Sequence, residues 1–90
     1  MAEIVWTDYL KYRAELRGFS IELLENIVRY TDERYYDTET GRYVFVGRHR
    51  DDLVMIPCDI DEKECTPVTV HSVTRQQIRF RLNTGRLKYE

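Results

Sequence analysis

The chain has 90 residues, enough for one domain around a single core and too few for a second. With 42% hydrophobic and 33% charged residues and a formal net charge of -2, its composition is that of a compact domain and excludes a disordered chain. No apolar run approaches the roughly 20 residues that cross a bilayer, and the opening MAEIVWTDYL lacks the basic-then-apolar plan of a secretory leader, so a cytoplasmic protein without a membrane partner is expected.

Glu3 to Trp6 is short and apolar and reads as a first strand. Thr7 or Asp8 then offers an N-cap oxygen to a helix that runs to about Arg17, where Gly18 supplies the stop. Tyr9, Leu10, Arg13 and Leu16 alternate apolar and charged groups at helical spacing, which predicts one buried face. Ser20 caps a second helix in which Ile21, Leu24, Ile27 and Val28 form an amphipathic stripe. Neither helix is long enough to stand alone, so the pair is expected to pack as a hairpin on a sheet.

From Glu33 the apolar period changes from helical to two. ERYYD and RYVFVG bracket the turn-forming TETG, with Gly41 able to adopt a positive φ. The loop RHRDD leads to LVMIPCDI, Leu53 to Ile60, and DEKE leads to TPVTVHSV. Pro57 and Pro67 each remove a ladder donor and belong at a bulge, a strand end or an edge. If Asp61 and Glu62 form the last hairpin tip, Cys58 lies opposite Cys65, Met55 opposite Val68 and Leu53 opposite Val70. Leu53, Met55, Val68 and Val70 then face the helices, while His71, Val54 and Ile56 turn to the other face, which can hold the last helix, a partner or a ligand. Ser72 or Thr74 caps that helix, roughly Arg75 to Asn83, ended by Gly85. The expected fold is a single α+β domain over residues 1–90: two N-terminal helices on a four-stranded antiparallel meander, with a short C-terminal helix.

Charge is distributed unevenly. From His71 onward Arg75, Arg79, Arg81, Arg86 and Lys88 face Glu90 alone, whereas Asp32 to Cys65 holds ten acidic residues and five basic ones. Arginine outnumbers lysine eleven to three, and guanidinium suits bidentate contacts to phosphate or carboxylate. Those arginines can equally neutralise the acidic loops of the same chain. Signatures for phosphate-cradling loops, dinucleotide binding, zinc proteolysis and serine hydrolysis are absent. Cys58 and Cys65 are expected as free thiols, and with His49 and His71 they lack the paired spacing of a zinc site, so neither metal nor cofactor is expected.

The residues with chemistry to offer are Arg48, His49 and Arg50 in one loop, His71 at a strand end, and Arg75 and Arg79 on the following helix. His71 can move a proton near neutral pH, and arginines beside it can stabilise a pentacoordinate phosphate. Each also has a quieter reading, as a half-buried strand-end histidine and a solvated loop. Tyr35, Tyr36 and Tyr43 can stack on bases, or pack across a thin sheet amid Glu33, Asp37 and Glu39, which repel a phosphate backbone.

The order of elements, with RGFS in the helical hairpin, VGR in a strand, and a closing strand followed by the TRQQI helix, resembles the BrnT-type branch of the RelE-like toxin superfamily from Trp6 to about Gly85. The resemblance implies a small antiparallel sheet carrying two N-terminal helices. It also implies an endoribonuclease toxin that positions a ribose 2′-hydroxyl for attack on the adjacent phosphate and is neutralised by a cognate antitoxin. On this basis Arg48 and Arg75 are the phosphate-binding candidates and His71 the acid or base, with Arg79, Arg50 and His49 as further substrate contacts. RNA, an antitoxin and a second copy of the chain are the candidate partners. The alternative is a non-catalytic interaction module on the same fold.

Overall fold

A computed structural model describes residues 3–90. Its elements in chain order are β1 (Glu3–Ile4), α1 (Asp8–Arg17), α2 (Ile21–Tyr30), β2 (Arg34–Asp37), β3 (Tyr43–His49), β4 (Asp52–Ile60), β5 (Glu64–Pro67), β6 (His71–Val73), α3 (Arg75–Asn83) and β7 (Leu87–Tyr89). The architecture is α+β with three helices and a mixed sheet in the order β1-β5-β4-β3-β2-β7, while β6 pairs with β4 beyond the end of β5. The expected meander forms the centre of this sheet only in part, because its fourth strand is divided into β5 and β6. Two additions widen it: β1 joins β5 in parallel, and β7, which the sequence pattern did not suggest, pairs antiparallel with β2.

Local signals fix the helix ends. The Thr7 hydroxyl accepts from the Leu10 amide at 3.1 Å, and Gly18, at φ 79°, closes α1 with its own amide and that of Phe19 turned back to Glu15 and Ala14. The Ser20 hydroxyl caps α2 through the Leu23 amide. Thr74 and Gln77 form a reciprocal capping box at the start of α3. Each cap satisfies backbone donors that the helix geometry leaves without partners.

The helical hairpin lies on one face of the sheet, where Leu10, Ala14, Leu24, Ile27 and Val28 meet Phe45, Val54, Ile56, Cys58 and Val70. Helix α3 covers the other, with Ile78 and Leu82 against Val44, Val46, Leu53, Met55, Val73 and Leu87. Along β4 the faces are therefore the reverse of the sequence expectation: Val54 and Ile56, not Leu53 and Met55, support the hairpin. On α1 the buried residues are Leu10 and Ala14, whereas Tyr9 and Leu16 point outward.

The pairing of β4 departs from the expected register at two places, and only the second, an odd shift, changes which residues share a face. The Asp61 carboxylate accepts from the Lys63 and Glu64 amides at 2.8 and 2.7 Å, which widens the turn and pairs Ile60 with Cys65 and Cys58 with Pro67. Farther along, Met55 pairs with His71, so Ile56 and Pro57 stand opposite the three residues Val68, Thr69 and Val70. This extra residue is a bulge between the two prolines, anchored by the Val68 amide on the Pro57 carbonyl at 2.8 Å. It lets Val70 join the hairpin side while His71 and Val73 share the α3 side with Met55 and Leu53.

Gly47 shows why the VGR stretch needs glycine. A Cβ placed there would lie 2.5 Å from Cγ1 of Ile27, so α2 rests directly on the β3 backbone.

Candidate functional site

The six residues singled out from sequence do not form one group. Arg48 lies within β3 and His49 ends it, while Arg50 occupies the tight turn to Asp52 with φ 58°. The His49 ring stands edge-on to Phe19 with centroids 5.8 Å apart, beside the hairpin. His71 is on the opposite side of β4 from Arg48, two residue pairs along: Arg48 pairs with Leu53, and His71 with Met55. Arg79 is exposed on α3.

Arg75 is committed elsewhere. Its guanidinium forks onto Glu33, Nη1 to Oε2 and Nη2 to Oε1, and the Tyr35 hydroxyl donates to the same Oε2 at 2.6 Å. Burial alone would raise the Glu33 carboxyl, but Arg75, Tyr35 and the field of Arg48 hold it below the usual carboxylate range. Burial and the adjacent Glu33 carboxylate push the Tyr35 phenol well above its ordinary value. Arg86 behaves likewise, forking onto Asp37, whose Oδ1 also accepts from the Glu39 and Thr40 amides. Asp37 is 7% exposed; burial would raise its carboxyl, and Arg86 with the two amides lowers it overall. For these two arginines, neutralisation of acidic segments of the same chain is what occurs.

A different basic group forms around His71. Burial lowers the imidazole below its ordinary 6.5, and Arg81 from α3 with Arg17 and Arg13 from α1 lower it further by repelling the protonated form. Among the described residues these three arginines have no carboxylate partner. Arg81 Nη1 lies 3.3 Å from the Met55 sulfur, a weak acceptor. Arg13 Nε is buried without a hydrogen-bond partner among the described residues. The group borders β6, which pairs with β4 alone. Two helices on opposite faces of the sheet thus hold three guanidinium groups within electrostatic reach of a half-buried imidazole at a sheet edge, an arrangement that attracts an anion.

No protein-family model, curated protein or solved structure matches this chain.

Sequence reasoning named His71 but not its companions. Arg13 and Arg17 stand at i and i+4, where like charges repel, and this spacing was the available signal. Arg81 was counted only as part of the basic end, because its approach to His71 depends on which face of the sheet α3 covers. The described residues contain no cluster of three or more His, Cys, Asp or Glu suited to a metal. Cys58 and Cys65 are buried free thiols, and among the described residues no helix is long and apolar enough to cross a membrane.

Proposed function

We propose that the protein is an endoribonuclease of the RelE-like toxin kind, in which His71 acts as base and Arg13, Arg17 and Arg81 hold the scissile phosphate. The convergence of His71 with three arginines that have no carboxylate partner carries this reading. The helical hairpin, central meander and final helix agree in order with the resemblance drawn from sequence. A neutral His71 removes the proton of a ribose 2′-hydroxyl, whose oxygen attacks the adjacent phosphorus. The P–O5′ bond breaks, leaving a 2′,3′-cyclic phosphate, and the departing 5′-oxygen takes up a proton from solvent. The guanidinium groups offset the charge that accumulates on the phosphate oxygens in the transition state. A cognate antitoxin would silence such a site by laying carboxylates over the three arginines.

The test is induced expression in bacteria with mapping of RNA ends. Growth arrest with new 5′-hydroxyl termini is expected, and His71→Ala should lower cleavage by about 10²- to 10⁴-fold, the range of a general base. Harmless expression with intact RNA would sink the proposal. The same experiment on Arg75→Ala separates the two arginine groups, since Arg75 already has Glu33.

A second reading, a non-catalytic interaction module, has its own observation. Tyr9, Tyr12 and Leu16 are 58%, 61% and 63% exposed on α1 at spacings of three and four, which gives a continuous apolar stripe beside Arg13. On this reading α1 is a contact with a second copy or another protein. Light scattering on the wild type and on Tyr12→Glu checks it: a monomer in both cases argues against self-association.

A further inference from the structure

We propose that the groove along the outer side of α3 and the turn after it is a nucleobase subsite, which receives a base of single-stranded RNA. This inference rests on the reading of the His71 cluster as a phosphate site. The groove is lined by Gln76, Gln77, Phe80, Arg81, Thr84 and Arg86 and encloses about 510 Å³.

The fold gives Phe80 no structural task. Ile78 and Leu82 supply the apolar contacts of α3 with the sheet, whereas Phe80 is 57% exposed. Around the ring, hydrogen-bonding capacity is unspent. The Gln76 amide has no partner among the described residues, and Gln77 uses only its carbonyl oxygen, on the Thr74 amide, which leaves both its N–H donors available. The charge of Arg86 is taken up by Asp37 and Glu39. What faces the groove is therefore an aromatic surface with amide groups at its rim.

A flat ring with a hydrogen-bonding edge fits that chemistry, which is how proteins hold the unstacked bases of single-stranded RNA. An aliphatic side chain would use the ring alone and make no use of the exposed Gln76 amide. Arg81 decides between them. It lines the groove and also contributes to the positive field at His71, so a nucleotide with its phosphate among the arginines directs its base toward Phe80. The guanidinium plane can itself stack on that base.

The experiment is fluorescence anisotropy with two labelled 2′-O-methyl strands of equal length, one bearing bases and one abasic, neither able to undergo 2′-hydroxyl attack. Wild type should bind the base-bearing strand about tenfold more tightly, within the range for one base stacked on an aromatic side chain. Phe80→Ala should remove that preference with unchanged affinity for the abasic strand, and Phe80→Trp should retain it. Equal affinity for the two strands in wild type, or a preference that survives Phe80→Ala, overturns the subsite. Failure of the phosphate reading looks different: Arg13→Gln would then leave both affinities unchanged instead of lowering both. If the base preference is missing and Phe80→Ala instead abolishes self-association in light scattering, the groove is a protein contact and the subsite is overturned.

Discussion

Arg75 and Arg86 end on carboxylates, whereas Arg13, Arg17 and Arg81 end around an imidazole with no carboxylate among them. The first pair fastens the last third of the chain to the first hairpin: Arg75 ties α3 to Glu33, and Arg86 ties the approach to β7 to Asp37, where Thr38 also bonds to the Gly85 and Arg86 carbonyls. The other three crowd like charges at one sheet edge, which opposes folding rather than assisting it. Residue type is the same in both regions, and only the partner differs. A net charge of -2 therefore says little about either, since the acidic excess is spent where it closes the fold and is missing where an anion could bind.

Asp37→Ala tests the structural side most severely. It removes a buried acceptor of two backbone amides and leaves Arg86 with only the exposed Glu39, so a loss of about 3 kcal/mol is expected. In a domain of this size that lowers Tm by on the order of 15 °C, measurable by thermal circular dichroism. At the other group the sign should reverse. Arg13→Gln should leave Tm unchanged or raise it slightly, by at most about 0.5 kcal/mol of relieved repulsion, and should weaken binding of the abasic strand by about tenfold, the loss of one charge-assisted contact. A clear fall in Tm for Arg13→Gln would erase the distinction between the groups.

Acid should act on both regions in one direction, for different reasons. Glu33 and Asp37 have folded-state carboxyls below their unfolded values of 4.5 and 3.8, so their stabilisation is present above those values and lost as pH falls through the lower folded ones. His71 is also depressed, from 6.5, so the unfolded chain takes up its proton first and stability begins to fall below that pH. Only the histidine should respond to Arg13, Arg17 and Arg81. Its proton NMR titration midpoint should lie below 6.5, move upward in Arg81→Gln, and move upward again when phosphate binds. A midpoint indifferent to both changes would mean that no common field exists.

Much of the fold was legible because its signals are short-range. Thr7, Ser20 and Thr74 hydroxyls, the Gly18 stop and the Gly41 turn each act within a few residues; Ser20, Gly18 and Gly41 stand where the pattern put them, and Thr7 and Thr74 are each one of the two caps it offered. The faces of β4 were not legible, because one residue is inserted opposite Ile56 and Pro57 and an odd shift exchanges the faces, whereas the turn enlarged by the Asp61 carboxylate moves the register by two and leaves them as they were. β7 escaped notice because three residues after a helix stop carry too little alternation, and its burial comes from Leu87 alone. The candidate site was half legible. His71 stood out as a titratable residue on a strand, but Arg13, Arg17 and Arg81 reach it from different layers, and such a meeting is decided by packing. Gly47 is the converse case: the VGR stretch drew attention for chemistry, and its glycine answers to the contact with Ile27.

Arg50 sharpens the comparison from outside both groups. It too lacks a carboxylate partner among the described residues, yet it sits exposed at the tip of the β3–β4 turn with φ 58°, a left-handed conformation that costs an L-residue with a Cβ about 1 to 2 kcal/mol. Glycine adopts that geometry without the clash, although it surrenders part of the gain through the larger entropy of its unfolded chain. Arg50→Gly should therefore raise stability by only about 0.5 kcal/mol, a few degrees in Tm. It should leave affinity for the abasic strand unchanged, in contrast to Arg13→Gln. If the two substitutions weakened that strand equally, exposure of any guanidinium would suffice, and convergence on His71 would no longer distinguish the cluster from a solvated turn.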